Sequence, residues 1–408
     1  MAVLEAVKLT LRQELDRARQ YSDRLFSILK PDGVYERPIA QRHRVIFYIG
    51  HLEAFDAIQI CREGLGIPSA HQGLDNLFQA GIDPPPGQLP SDVPSDWPTL
   101  PEVKAYVERC RAKVNKYLDL APDDAASMSL EHRLMHIETL AYMFHNFELR
   151  HKNNLQGRIN PASTEPIANP MIRIERGTAR LGKPHDGTFG WDNEYEAHNV
   201  DVPAFRIQKY KVTNRDYLRF VEEGVRMPHF WVERNGAIYY RGMFGEIPLP
   251  LDWPVYVTQR QAEAYANWVG LKLPSEAQFH RAAYGSPSDE SRPYPWGNES
   301  PTHEHGNFDF KSWEPEPVWA TPKGNSAFDV SQLVGNGWEW TRTEFHPFPG
   351  FQPRKEYPGY SANFFDGDHY VLKGGSCQTA SILLRASFRN WFRRDYPYTY
   401  ATFRCVGE

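Results

Sequence analysis

Hydrophobic positions in the first part of the chain recur at the spacing of an α-helix. The first stripe runs from Val3 to Leu29, and the turn sequence Pro31-Asp32-Gly33 predicts its end. The pattern predicts helices over residues 3–29, 38–61, 101–119 and 123–150. A long polar and proline-rich connection separates the second helix from the third. Four helices with one long crossover predict a four-helix bundle, an architecture that often holds metal ions between facing helices.

The pattern changes near residue 165, where short alternating runs between turns rich in glycine, proline, asparagine and aspartate predict β-strands. The predicted elements of this part include strands near 205–212 and 370–376 and helices over 259–270 and 275–283. Much irregular structure is expected between them. The chain is therefore predicted to be an α+β protein, with a helical domain over residues 1–155, a linker near 151–165 and a second domain over 165–408.

The composition narrows the function classes. Hydrophobic residues make up 41% of the 408 positions, which is enough for sizeable cores, while a mean hydropathy of −0.60 and the lack of a long apolar run argue against a membrane span. The net charge of −5 is spread over interspersed acidic and basic residues, so no nucleic-acid surface is predicted. The first residues enter an amphipathic helix directly, and the four cysteines form no CxxC pair or disulfide framework. We therefore expect reduced thiols and a cytoplasmic location.

Three histidines predict a metal site. His132 and His136 lie four positions apart in a predicted helix, so both rings project from one face and can reach one ion. Glu138 lies about 200° around the helix from His136 and is predicted to point away, as a structural or supporting group. The third ligand is expected from another helix, where His51 lies in an apolar segment. A lone histidine there is usually an ordinary core residue, but the three together predict a site for zinc or iron, and iron would keep positions open for substrate and dioxygen.

These residues resemble a known family. His51 in Gly50-His51-Leu52-Glu53, with His132-x-x-x-His136-x-Glu138, resembles the iron site of DinB-like four-helix bundles. Such a bundle precedes a formylglycine-generating-enzyme-like domain, which has a C-type-lectin-like fold, in the ergothioneine and ovothiol sulfoxide synthases. The second half resembles that domain independently through ordered motifs, which include Pro254-Val-Tyr-Val-Thr258, Leu271-Lys-Leu-Pro-Ser-Glu276, Tyr294-Pro-Trp-Gly297, Gly335-Asn-Gly-Trp-Glu-Trp340 and Leu372-Lys-Gly-Gly-Ser376. The glycines and tryptophans of these motifs are expected to serve the fold.

The resemblance implies an oxidoreductase with iron(II) as cofactor and dioxygen as co-substrate. It would join a thiol sulfur to the imidazole of hercynine, a histidine betaine, and form a sulfoxide in ergothioneine biosynthesis. In the resembling enzymes an Asn-Trp pair lies beside the histidine-derived substrate, and this role falls on Asn390 and Trp391 and more weakly on Phe392. The resemblance also implies a proton-donating tyrosine, for which the candidates are Tyr357, Tyr360, Tyr370, Tyr396, Tyr398 and Tyr400.

The residue after the Asn-Trp pair bears on the sulfur donor. Relatives that use γ-glutamylcysteine carry an aspartate there, and this chain carries Phe392. The difference favours a donor without the γ-glutamyl amine, such as cysteine, by at least about tenfold in kcat/KM. Arg393 or Arg394 could hold a donor carboxylate through paired hydrogen bonds, although a solvated basic turn explains both residues equally well.

Three alternatives stay open. A selenoneine synthase, which uses a selenium sugar as donor, has the same architecture. A formylglycine-generating oxidase would need a reactive cysteine pair, but after Cys377 the next cysteine is Cys405. A non-enzymatic lectin-like binding module would not need the histidines.

Overall fold

The computed structural model describes residues 2–81, 88–153 and 165–408, with side chains from residue 11 onward. The chain divides into two compact units, Met1–Gly157 and Arg158–Glu408. The first unit is helical, and the second combines short strands with helices, so the predicted α+β class is confirmed. The predicted linker near 151–165 and the proline turn at 84–87 lie mostly or wholly outside the described residues.

The helices of the first unit are α1 (Ala2–Phe26), α2 (Val45–Asp56), α3 (Gln72–Ala80), α4 (Leu100–Tyr117) and α5 (Asp123–His145). Nearly every residue of α2 is buried, as expected of a helix that is hydrophobic on all sides. It packs against α3, α4 and α5, while α1 packs against α5. A π-helical segment, Ala57–Glu63, continues α2, and such segments are frequent at functional sites.

The second predicted helix begins later than expected, at Val45 rather than near residue 38. Arg37 and Arg44 both bind the carboxylate of buried Asp92, Arg44 through Nε at 3.0 Å. Arg44 also donates to the Tyr35 carbonyl oxygen at 2.6 Å. These contacts hold the segment before Val45 as a loop, because both arginines reach a partner on a distant part of the chain.

Helix α3 lies in a segment predicted to be a polar connection, so that prediction is wrong for residues 72–80. The ring of His71 caps its first turn by accepting a hydrogen bond from the Leu74 amide at 3.2 Å. Phe78, one turn further on, is fully buried. A helix of nine residues is too short to be stable alone, so its packing on α2 stabilises it.

Helices α1 and α5 both end a few residues earlier than predicted. α1 ends at Phe26 rather than at residue 29, and α5 ends at His145 rather than near residue 150. The last carbonyl groups of α5 receive side-chain donors: Asn146 Nδ2 binds the Tyr142 oxygen at 2.7 Å, and Lys152 Nζ binds the His145 oxygen at 3.3 Å. These contacts satisfy orphan carbonyls at the helix end.

The second unit contains β1 (Met171–Ile174), β2 (Gly177–Leu181), β3 (His198–Val202), β4 (Phe205–Gln208), α6 (Asn214–Glu222), β5 (Trp231–Arg234), β6 (Ala237–Gly242), β7 (Gly245–Pro248), α7 (Gln259–Trp268), α8 (Glu276–Tyr284), β8 (Trp338–Glu344), β9 (His369–Lys373), β10 (Asn390–Arg393), β11 (Ala401–Thr402) and β12 (Val406–Gly407). Helix α6 was not predicted. The strands form sheets in the orders β1-β4-β12, β10-β9-β8-β11, β2-β3 and β5-β6-β7. In the four-stranded sheet, β10 is therefore an edge strand.

A buried ion cluster holds the middle of this unit together. Glu339 accepts hydrogen bonds from Lys211 at 2.8 Å and from two nitrogens of Arg404 at 2.7 and 2.8 Å, and all three side chains are fully buried. Arg404 also binds three backbone carbonyl groups. Glu339 lies between two buried tryptophans in the Gly335–Trp340 motif, in keeping with the structural role predicted for it. Over the described residues, the structure has no helix that is long and apolar enough to cross a bilayer.

Candidate metal centre

His51 from α2 and the pair His132 and His136 from α5 converge inside the helical unit. The Nε2 atom of His136 lies 3.3 Å from Nε2 of His51 and 3.1 Å from Nε2 of His132. Ligand atoms of all three rings lie within 4.8 Å of one another. The helical spacing of four residues places the α5 pair one above the other, and the packing of α2 on α5 adds the third ring.

The spacing of these nitrogens fits one metal ion. Two nitrogens bound to the same ion at about 2.0–2.1 Å, at octahedral or tetrahedral angles, lie about 2.8–3.4 Å apart. Both measured separations fall in this range. Three imidazoles on one side of an ion leave the other positions for small molecules. The donor set therefore fits a mononuclear centre with open coordination positions.

The protonation of the rings also suits metal binding. The carbonyl oxygen of Phe78 lies 2.7 Å from Nδ1 of His51. Because a carbonyl only accepts, Nδ1 carries the proton and Nε2 presents its lone pair towards the other two rings. Burial lowers the pKa of His51 to about 4 and lowers those of His132 and His136 well below the usual value. Neutral imidazoles are the form that binds metals.

Aromatic rings form the walls of the site. Phe55 stacks on His132 with ring centroids 3.5 Å apart and planes at 9°, and Phe47 stacks on His51 at 4.7 Å and 27°. Tyr48 lies beside His136 at 5.8 Å. These neighbours restrict the orientation of the ligand rings and keep the surroundings apolar, which strengthens electrostatic interactions at the centre.

A buried charge network joins the two ligand-bearing helices. Arg133, next to His132, is fully buried and binds Asp56 at 2.6 Å and Glu53 at 3.0 Å. It also donates to the Leu52 carbonyl oxygen at 3.1 Å, one residue from His51. The guanidinium therefore links α5 to α2 beside both sets of ligands. The prediction from sequence did not include this network.

Glu138 is buried, with 8% of its surface exposed, and does not belong to the group of converging ligand atoms. Its predicted role as a supporting residue stays a prediction. The four cysteines are buried as well, and burial raises the pKa of Cys405 far above the usual value of a thiol. A buried thiol of raised pKa is a poor nucleophile, which weakens the alternative of a cysteine-dependent oxidase.

The predicted substrate residues form the edge strand β10 of the second unit. Trp391 pairs with Val371, and Phe392 pairs with Tyr370 on the neighbouring strand. Because side chains alternate along a strand, Trp391 projects from the face opposite to that of Phe392 and Asn390. Trp391 stacks on Phe345 with centroids 4.4 Å apart and planes at 6°. Phe392 stacks on Tyr396 at 5.1 Å and 12°.

The two arginines that follow Phe392 have different surroundings. Arg394 binds Glu263 at 2.8 Å and lies over the ring of Tyr370 at 5.5 Å. Arg393 is 65% exposed and lies 3.6 Å from Asp368, which is itself 51% exposed. An exposed pair at that distance contributes little and is easily exchanged for another partner. Arg393 is therefore the more available of the two cations.

The tyrosine candidates fall into separate groups. Tyr360 stacks on Trp191 at 3.9 Å and meets the edge of Trp391 at 5.3 Å. Tyr357 lies 5.8 Å from Tyr360, and burial raises its pKa. The other candidates lie elsewhere: Tyr370 on β9 opposite Phe392, Tyr396 and Tyr398 beside each other, and Tyr400 in the core. The structure thus places Tyr360 in ring contact with Trp391, and Tyr357 beside Tyr360.

The sequence is similar to several named proteins. Residues 156–408 match the family model for the sulfatase-modifying factor enzyme 1-like domain. The chain is 35% identical to hercynine oxygenase of Mycolicibacterium smegmatis, over 74% of this chain and 76% of that protein. It is 41% identical to hercynine oxygenase of Mycobacterium tuberculosis, over 51% and 52% of the two chains. It is 27% identical to ergothioneine biosynthesis protein 1 of Neurospora crassa, over 93% and 56%. The chain thus spans about half the length of the last two relatives.

Proposed function

This chain belongs to the family of hercynine oxygenases, and we propose that it is an iron(II)- and O₂-dependent sulfoxide synthase that joins a thiol donor to hercynine in ergothioneine biosynthesis. In the overall reaction an imidazole C–H bond and a thiol S–H bond break, and a C–S and an S=O bond form. The second oxygen atom of O₂ leaves as water. The convergence of three imidazole nitrogens from α2 and α5 is the observation that supports the proposal most.

Iron is proposed rather than zinc because an oxygenase reacts with dioxygen, whereas zinc has no redox chemistry. His51, His132 and His136 would hold the ion, which would mediate the transfer of electrons from the two substrates to dioxygen. The protein would supply fixed ligand orientation through the Phe78 carbonyl and the stacked aromatic rings. The dry surroundings of the histidines would keep bulk water from competing with the substrates.

Asn390 and Trp391 are proposed to bind hercynine. The betaine carries a trimethylammonium group, and the π-face of a tryptophan attracts a quaternary ammonium ion. The stack on Phe345 holds that ring in one plane. The carboxamide of Asn390 can donate to the betaine carboxylate, while its Oδ1 accepts from the Trp391 amide at 2.9 Å.

Tyr360 is proposed as the proton donor, with Tyr357 as the second candidate. Contact between Tyr360 and Trp391 supports the choice, because a proton donor must lie within hydrogen-bonding reach of the bound reactants. The raised pKa of Tyr357 would keep its hydroxyl protonated at neutral pH. Kinetics of Tyr360→Phe and Tyr357→Phe distinguish them, since only the donor variant should change the solvent isotope effect on the reaction.

The donor is proposed to be cysteine. Phe392 offers no anion for the γ-glutamyl amine, and the exposed Arg393 can receive a carboxylate. The selenium-sugar donor of a selenoneine synthase is the second possibility, because an aromatic residue at this position suits the apolar face of a sugar.

The test is incubation of the iron-loaded protein with hercynine, oxygen and one donor at a time: cysteine, γ-glutamylcysteine or a selenium sugar. Mass spectrometry should detect the sulfoxide with cysteine, and His132→Ala should abolish both iron binding and product. Product only with the selenium sugar would move the protein to the selenoneine branch. Failure with every donor, despite bound iron, would refute the proposed reaction and leave the metal site intact.

A further inference from the structure

A glycine next to a proposed metal ligand has a steric role. Gly50 precedes His51 in the middle of α2, where glycine lowers helix stability relative to alanine. Its φ is not among the positive values of the described glycines, so the backbone conformation does not require it. A Cβ atom at this position would lie 2.4 Å from Cδ1 and 2.5 Å from Cγ and Cε1 of Phe78. Only glycine admits the Phe78 ring at this distance.

Phe78 has little freedom to move away from Gly50. It is fully buried and stacks on Tyr106 of α4, with centroids 5.4 Å apart and planes at 27°. The Tyr106 hydroxyl donates to Asp75, on the first turn of α3, at 2.6 Å. Helix α3 is thus held between α2 and α4, and a close-packed interior transmits a displacement rather than absorbing it.

Phe78 also contacts α2 through its main chain. The Phe78 carbonyl oxygen accepts the hydrogen bond from Nδ1 of His51 at 2.7 Å. The side chain of Phe78 therefore rests on residue 50, and its main chain binds residue 51. The distance between the carbonyl and the imidazole depends on how closely the ring approaches the helix.

We propose that Gly50 is a positioning residue for the metal centre: by leaving room for the Phe78 ring, it keeps the Phe78 carbonyl on Nδ1 of His51 and so fixes the tautomer and plane of that ligand. The inference rests on the proposed metal-binding function of the three histidines. Groups that orient a ligand histidine typically change metal affinity by about 10–100-fold when they are disturbed.

The test is a double-mutant cycle with Gly50→Ala and Phe78→Ala, read out as anaerobic Fe(II) affinity by competition with a chromogenic chelator. Gly50→Ala should weaken Fe(II) binding by about 10–100-fold in the parent protein. In the Phe78→Ala background, which lacks the three ring atoms that the added Cβ would meet, it should weaken binding by no more than about threefold. Gly73→Ala is the matched control on α3, because its added Cβ meets nothing closer than 3.8 Å. It should bind as the parent does.

A second measurement does not depend on metal. In apoprotein with ¹⁵N-labelled histidine, NMR should show His51 with its proton on Nδ1. Gly50→Ala should shift the ring towards a mixture of tautomers, and the double variant should restore it. An equal loss of affinity from Gly50→Ala in both backgrounds, or an unchanged tautomer, would overturn the inference.

The outcomes separate the two proposals. If Gly50→Ala does not fold, the comparison of Phe78→Ala with the double variant decides: similar affinities support the steric role, and a gap above about tenfold contradicts it. A parent protein that binds no Fe(II) would refute the proposed metal function, while the NMR result would still decide whether Gly50 positions the ring.

Discussion

Replacing Arg133 with methionine should destabilise the helical unit strongly. Methionine retains much of the length and apolar volume of the arginine stem but no charge. The variant removes the 2.6 Å contact to Asp56, the 3.0 Å contact to Glu53 and the hydrogen bond to the Leu52 carbonyl. Asp56 is fully buried, so its carboxylate cannot be solvated instead.

The expected loss of stability depends on which ion-pair partners Glu53 and Asp56 keep in the variant. Glu53 still has Arg111, with nitrogens at 2.8 and 2.9 Å. Asp56 keeps the contact with Arg19 at 3.8 Å, which is beyond a hydrogen bond. Removing one partner of a buried ion pair costs about 3–5 kcal/mol. Because one of the two carboxylates remains paired, we expect the lower end of this range, about 3 kcal/mol in the free energy of unfolding.

Urea unfolding of the full chain at pH 7, followed by circular dichroism at 222 nm, measures this loss. The double variant Arg133→Met with Asp56→Leu should regain at least half of it, because the orphaned carboxylate is gone and Glu53 keeps its contact with Arg111. Arg24→Met, an exposed position on α1, serves as the control and should change stability by less than about 0.5 kcal/mol. A single variant within about 1 kcal/mol of the parent, or a double variant no better than the single one, would refute the reasoning.

Three further predictions concern the second unit. Burial raises the pKa of Glu316 to about 7 from 4.5, so the folded state loses stability as the pH rises between these values. The free energy of unfolding of Glu316→Gln, measured with urea, should match that of the parent at pH 4.5 and exceed it at pH 8 by about 2–3 kcal/mol. Parallel curves of unfolding free energy against pH for the two proteins would contradict this. Phe392→Asp should shift the ratio of kcat/KM for γ-glutamylcysteine to kcat/KM for cysteine upward by about tenfold. Phe392→Asn is the uncharged control. An unchanged ratio in Phe392→Asp would refute the argument from residue 392. Gly337 has φ 134°, and a Cβ atom there would lie 2.8 Å from the Tyr256 ring. Gly337→Ala should therefore lower the free energy of unfolding by about 2 kcal/mol or more. An unchanged melting temperature would refute this prediction.

The sequence alone determined those features that depend on local periodicity. His132 and His136 share one face because four residues make about one helical turn. The apolar run around His51 predicted a buried helix, and the change of pattern near residue 165 predicted an α+β chain. These inferences need only the spacing of residues along one element. The same reasoning could have found α3 from the spacing of Leu74, Leu77 and Phe78, but its short length and polar flanks hid it.

The tertiary structure decided the contacts between distant segments. The Phe78 carbonyl that orients His51 comes from 27 residues away. Because every residue has a backbone carbonyl group, the sequence does not indicate which one will accept this hydrogen bond. Arg133 and Asp56 are 77 residues apart, and each alone would be expected at the surface. Similarly, Asp92 binds two arginines of the loop before α2, and the helix therefore begins at Val45 rather than near residue 38. Periodicity predicts which face of a helix is buried, but the packing of the helices decides which groups meet there, because that depends on the shapes of all the elements at once.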